Sequence, residues 1–325
     1  MSTAALAAGA WSAAALLLVK STLVLGAAAL GALALRRASA ASRHFVWTLS
    51  LAALLALPAL TLALPSWRPA ALAVVPHAEP AALAPHAGGE IARYVSTAPL
   101  ADLPAPAEGR GGSIAIVLLA AWALGALAVL ARLGIGIAAV RRVAREAEAV
   151  EDPAWTELAA RLGASVGVRR PVRLLRSASA AMPMTWGALR PAILLPADAE
   201  GWDAERRRVV LLHELAHVAR RDCLTQVLAE VACALHWFHP GAWLAARRMR
   251  EEREQACDDR VLAAGARASE YALHLLSVAR AYRPPVSAAA LAMARPSQLE
   301  GRLRAVLEAE RDRSGVTPRV GAVCA

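Results

Sequence analysis

Val209-Val210-Leu211-Leu212-His213-Glu214-Leu215-Ala216-His217 is the stretch on which the reading of this chain turns. The four apolar residues supply the buried face of a helix. His213 and His217 are four apart, so on that helix they stack on one face. Two imidazoles so placed can reach one metal ion at the roughly 2.0–2.1 Å that zinc requires. Glu214 is one position along and suits a general base toward a water that attacks a peptide carbonyl. Asp203, just upstream, can cap the helix.

A catalytic zinc needs a third protein ligand and an open position. Downstream lies Glu251-Glu252-Arg253-Glu254-Gln255-Ala256-Cys257-Asp258-Asp259. Glu254 and Asp258 share a helix face. Glu254 is read as the third ligand, with Glu251 as the alternative. Asp258 is read as a carboxylate that accepts from a ligand imidazole and fixes its tautomer. The cysteines Cys223, Cys233, Cys257 and Cys324 form no C-x-x-C pair. They suggest neither a disulfide framework nor a cysteine zinc site, and Cys257 is given no chemical role.

Around this centre the chain of 325 residues is 58% hydrophobic, with mean hydropathy +0.42. That is too apolar for an ordinary soluble enzyme and fits membrane spans. Three apolar runs are long enough to cross a bilayer: Ala10 to Leu35, His44 to Leu64 with Pro58 inside, and Ser113 to Ala131. Lys20 is read as snorkelling from the first. The net charge of +10 is carried almost entirely by Arg. Arg36, Arg37 and Arg43 lie between the first two runs, and Arg132, Arg141, Arg142 and Arg145 follow the third. Both clusters read as cytoplasmic by the positive-inside bias, and the basic balance calls for no direct nucleic-acid partner.

The expected layout is two transmembrane helices over 1–64, an irregular outer loop over 65–112, a third span and its exit over 113–140, a cytoplasmic domain over 141–315 and a tail over 316–325. Helices are expected over 141–162, 223–236, 241–264, 269–281 and 297–312. Short strands and turns are expected over 172–196, where Pro171, Pro183, Gly187, Pro191 and Pro196 punctuate apolar pieces. Cys223 to Ala246 reads as a buried or membrane-hugging helix with a turn at His239-Pro240-Gly241. A single crossing there would leave Glu254 across the bilayer from His213 and His217. His236 and His239 are assigned to packing, with oxyanion binding as the alternative.

With these residues in place the chain resembles the BlaR/MecR-type membrane metallopeptidases, the antirepressor and beta-lactam-sensor family. The resemblance rests on Met182-Pro183-Met184-Thr185-Trp186-Gly187, Leu189-Arg190-Pro191, Ile193-Leu194-Leu195-Pro196, His213-Glu214-Leu215-Ala216-His217 running into Arg220-Arg221-Asp222, His236-Trp237-Phe238-His239-Pro240 and Arg253-Glu254-Gln255-Ala256-Cys257-Asp258-Asp259. It covers about residues 110 to 310. It implies a mainly α fold: N-terminal transmembrane helices plus a cytoplasmic gluzincin-like α+β metalloprotease domain with a small sheet. It implies one zinc ion held by His213, His217 and Glu254, with Glu214 as base and Asp258 and Asp222 in support. An edge strand near 182–186 is implied to pair a substrate strand, making Met182, Met184, Thr185 and Trp186 candidate substrate contacts.

The resemblance further implies a multi-pass protein of the bacterial inner membrane in contact with lipid. An outside signal would lead it to cleave itself or a cytoplasmic winged-helix repressor; a second copy of the chain is a candidate partner. It also implies a fourth span, of which the tail is read as the start. No stretch is read as the outer penicillin-binding domain of the beta-lactam sensors. Quality control of membrane proteins and non-catalytic transduction are the alternative functions, the latter disfavoured by the intact Glu214. For topology, a reporter fused after residue 90 should behave as external and one after residue 165 as internal; the opposite pattern would overturn the orientation.

Overall fold

The computed structural model describes residues 3–63, 110–180, 182–281 and 299–316. Most of the expected outer loop and of the tail lies outside these residues. Three apolar helices come first: α1 (Thr3–Ala34), α2 (Ala40–Ala63) and α3 (Arg110–Glu146). Each contains a stretch long and apolar enough to cross a membrane, Ala14–Ala34, Ala40–Thr61 and Ile114–Glu146. Leu23, Leu30, Leu33, Ile116, Val117, Leu119, Leu124 and Leu127 stand exposed on α1 and α3. Water would not tolerate that surface and lipid tails would. Lys20 lies 3.5 Å from the Thr61 hydroxyl of α2, at the outer limit of hydrogen bonding.

The expected helix over 141–162 needs correction. α3 runs on to Glu146, β1 (Glu148–Ala149) follows, and α4 (Pro153–Ser165) begins anew. The reason is local. The Arg132 guanidinium pairs with Glu230 at 2.6 Å, and the charge does not interrupt α3. The new start is set by Asp152, whose side chain accepts from the Ala154 N–H, and by Pro153 at the first helical position.

The sheet adds β2 (Arg173–Ser177), β3 (Met184–Trp186) and β4 (Ala192–Pro196), in the order β1-β2-β4-β3. Only the β2–β4 pair is parallel. β4 is wholly buried, whereas β3 is an edge strand. Gly187 closes the turn out of β3 at φ 86°; the Arg190 carbonyl occupies the space a Cβ would need.

The metal-motif helix is α5 (Ala204–Arg220), capped by Asp203, whose carboxylate accepts from the Arg206 N–H at 2.7 Å. It ends at Arg221, in the left-handed region at φ 56°, and α6 (Asp222–Leu235) starts at once. After the His236–His239 turn come α7 (Pro240–Ala263), α8 (Ala268–Ala281) and α9 (Leu299–Leu307). α9 is shorter than expected. The Arg313 guanidinium donates to the Val306 and Glu308 carbonyls and closes its end.

Packing fixes α5 from two sides. Leu211 and Leu215 join Trp155, Leu174, Ile193, Leu195 and Trp202 beneath the sheet, while Val209 and Leu212 meet Val261, Tyr271 and Val306. A third core joins the membrane helices to the rest. Leu51 and Leu54 of α2 pack on Ala242, Ala245, Ala246 and Met249 of α7, with Ala229 and Cys233 of α6. The alanines let the helix backbones approach closely.

α3 is tied to the α6–α7 turn by tryptophans. Trp122 Nε1 donates to the Leu235 carbonyl at 2.9 Å, and Trp237 Nε1 donates to the Trp122 carbonyl at 3.1 Å. The Trp237 indole lies where a Cβ on Gly125 would stand, whereas nothing lies near Gly26 of α1. Gly125→Ala should therefore destabilise by about 1–3 kcal/mol through overpacking, read as a lower melting temperature in detergent. Gly26→Ala should not; equal melting temperatures for the two variants would contradict this packing.

Candidate metal centre

Because α5 is pinned by both cores, its remaining face meets α7. That face carries His213 and His217, whose rings are edge-on with centroids 4.9 Å apart. α7 brings Glu254 opposite. Its Oε2 lies 3.7 Å from His213 Nε2, and its Oε1 lies 3.9 Å from His217 Nε2. One ligand atom from each residue falls within 4.8 Å of the others. Ligands about 2.1 Å from one tetrahedral ion stand about 3.4 Å apart, so small side-chain adjustments suffice to close the triad on an ion.

The far nitrogens of both rings face carboxylates. His213 Nδ1 is 3.2 Å from Asp258 Oδ1 and 3.1 Å from the Tyr271 hydroxyl. His217 Nδ1 is 2.8 Å from Asp222 Oδ2. With Nδ1 so engaged, each ring would present Nε2 to a bound ion. Asp258 and Asp222 thus each lie within hydrogen-bond reach of one imidazole.

Asp258 and Glu254 each have a counter-charge. Asp258, 1% exposed, accepts from Arg302 Nε at 2.8 Å and Nη2 at 2.7 Å, and from the Tyr271 hydroxyl at 2.7 Å. Burial favours its neutral form, but Arg302 outweighs this and holds it ionised, below the usual carboxylate range. Glu254 accepts from Arg253 Nε and Nη2 at 3.1 and 2.9 Å, and Arg253 is itself steadied by Gln226 at 2.9 Å. Burial again opposes ionisation, and Arg253 with the imidazoles keeps Glu254 well below its ordinary range. His213 goes the other way. Burial lowers its affinity for a proton, but Asp258 and Glu254 more than offset that and raise its pKa to about 9.

Glu214 is buried beside the triad and outside it. Thr185 of β3 donates from Oγ1 to Glu214 Oε2 at 2.7 Å and lies 3.0 Å from its carbonyl. Thr185 is therefore a holder of the carboxylate. Strand alternation sends its neighbours elsewhere: Met184 and Trp186 pack on the opposite face with Ala144, Leu175 and Leu194, and Met182 precedes the strand. Met182, Met184, Thr185 and Trp186 thus do not share one face.

A second donor group also lies close together, His217, Asp222 and Cys257. It would take His217 through the Nδ1 that already meets Asp222. Burial, reinforced by Asp222, pushes the Cys257 thiol well above its ordinary range. Glu251 is turned away, paired with Arg247 and Arg248 at 2.9 and 3.0 Å. His236 lies 3.2 Å from the Ala232 carbonyl through Nδ1. His239 caps α7 by accepting from the Gly241 N–H and meets Thr22 of α1 at 3.1 Å. Among the described residues neither bonds to the centre.

A membrane-helix protein with a buried His-His-Glu centre beside a held carboxylate is the class these features define. A family model described as BlaR1 peptidase M56 matches residues 11–306, and the chain belongs to that family of inner-membrane proteins. It is similar to regulatory protein BlaR1 of Bacillus licheniformis, 29% identical over 143 residues, covering 44% of this chain and 24% of that protein. It is similar also to the methicillin resistance mecR1 protein of Staphylococcus aureus, 31% identical over 81 residues, covering 25% of this chain and 14% of that protein. The chain thus aligns with a quarter or less of the length of these relatives.

The pairing around Asp258 makes a prediction. Asp258→Ala strands Arg302 without its main counter-charge and should cost about 3–5 kcal/mol. Tyr271→Phe removes the hydroxyl shared by Asp258 and His213 while both keep other partners, and should cost about 1–2 kcal/mol. Thermal unfolding should rank the two variants in that order; the reverse rank would contradict the network.

Proposed function

We propose that the chain is an integral-membrane zinc endopeptidase that transduces an external signal by cleaving itself or a cytoplasmic transcriptional repressor of the winged-helix type. The observation that carries the reading is the convergence of His213, His217 and Glu254 with Glu214 held separately beside them. Two imidazoles and a carboxylate are a donor set suited to zinc with one position left open. The regulatory naming of one relative and the resistance naming of the other support a role in signalling. The arginine clusters beside the spans support a cytoplasmic protease domain.

The ion, when bound, supplies Lewis acidity toward a peptide carbonyl and lowers the pKa of the attacking water. The chain supplies the rest. Glu214 takes the proton from the attacking water and returns it to the departing amine nitrogen. Thr185 occupies one of its oxygens, which leaves Oε1 for the proton in transit. The β3 edge binds the substrate backbone as an added strand and presents the scissile carbonyl in extended form. Asp258 and Asp222 keep the two imidazoles in the ligand tautomer.

Two outcomes test this. Since His213 holds a proton up to pH about 9, metal binding must release it. Zinc affinity should weaken about tenfold for each unit of pH below about 9, and calorimetry in buffers of different ionisation enthalpy should detect about one proton released at neutral pH from this group. A flat profile would remove His213 from the ligand set. In cells, mass spectrometry of cleaved proteins should show products with the wild type that vanish with Glu214→Ala, while the variant keeps about one zinc per chain and His217→Ala does not. Unchanged cleavage by Glu214→Ala would end the protease reading.

A further inference from the structure

A cavity of about 420 Å³ lies away from the metal centre, lined by Arg141, Ala144, Arg145, Ala147, Arg173 and Trp186. Three exposed arginines line one space from two separate elements, the end of α3 and the start of β2. None of the three has a side-chain hydrogen bond or ion pair among the described residues, although their neighbours do. Arg142 pairs with Glu146 at 3.1 Å, and Arg176 pairs with Glu148 and Glu200. The acids nearest in sequence are thus already engaged. Trp186 contributes to the wall, while its indole Nε1 is buried away from the space. Three arginines without a side-chain partner among the described residues around a single space describe an anion site.

The level of the cavity narrows the anion. The apolar run of α3 extends from Ile114 to Val140, broken only by Arg132, and Arg141 is the next residue. At 1.5 Å per residue that run covers about 40 Å, the hydrocarbon core and a headgroup layer. If the run fills the bilayer, Arg141 and Arg145 come at its end, at the level of the phospholipid phosphates. We propose that this cavity binds a phosphate group, supplied by the headgroup of an anionic phospholipid. Arg141 and Arg145 reach it from the span, Arg173 reaches it from the sheet, and Trp186 completes the wall. Trp186 is next to Thr185, the residue that holds Glu214, so the site adjoins the strand that serves the candidate active centre. The proposal does not depend on a metal or on protease activity.

The test uses the full chain purified in a non-ionic detergent and native mass spectrometry with added phosphatidylglycerol, phosphatidylcholine or inorganic phosphate. Wild type should retain phosphatidylglycerol in preference to phosphatidylcholine. The triple variant Arg141→Ala/Arg145→Ala/Arg173→Ala should bind phosphatidylglycerol roughly a hundredfold more weakly. The double variant Arg142→Ala/Arg161→Ala removes as basic a pair from exposed, already paired positions and should bind as wild type does. An Arg→Lys triple variant keeps the charge and should retain most of the binding, which separates lost contacts from lost folding. Inorganic phosphate that binds with the same arginine dependence, when phosphatidylglycerol does not, would keep the phosphate site and overturn the lipid as its source. Equal phosphatidylglycerol retention by wild type and the Ala triple variant, or no binding of either probe by wild type, would overturn the site.

Discussion

The constraint on which the structure depends is that ionised carboxylates are buried between α5 and α7 and must be compensated there. Asp258, Asp222 and Glu254 are 1%, 3% and 14% exposed at the side chain. A buried carboxylate without a partner costs several kcal/mol. Each is met by an imidazole on one side and a guanidinium on the other: Arg302 for Asp258, Arg220 for Asp222, Arg253 for Glu254. The imidazoles are thereby oriented, and their Nε2 atoms converge. The geometry of the candidate centre follows from satisfying buried charge.

The same helix that carries Glu254 and Asp258 also faces the membrane part. The N-terminal half of α7 packs on Leu51 and Leu54 of α2, and Ala256 meets Ala40 and Ala41. Arg43 of α2 pairs with Glu252 at 2.8 Å, two residues from Glu254. The contacts between α2 and α7 are therefore continuous with the centre, through close-packed small residues and one partly buried ion pair.

Much of the centre was legible in the sequence because helical periodicity is short-range. Four-residue spacing put His213 over His217 and Glu254 over Asp258 without any tertiary information. Asp203 announced its helix, and the crossing argument kept Glu254 on the side of the histidines. What was not legible required the packing of distant segments. Tyr271 and Arg302 sit on α8 and α9, and no spacing ties them to the motif. Arg253 stands beside Glu254, but spacing alone gives it no partner. That Thr185 meets Glu214 follows from the face of a three-residue strand that looks inward, which its register with β4 decides. The continuity of α3 past Arg132 involves a partner almost a hundred positions away.

The central claim is that one ion binds between the α5 imidazoles and the α7 carboxylate, and not in the neighbouring group that includes Cys257. X-ray absorption at the zinc edge of the zinc-loaded chain tests it directly. The account predicts scattering from nitrogen and oxygen alone, with an imidazole pattern from two rings at about 2.0–2.1 Å. A sulfur shell at about 2.3 Å would place the ion on Cys257 and contradict it.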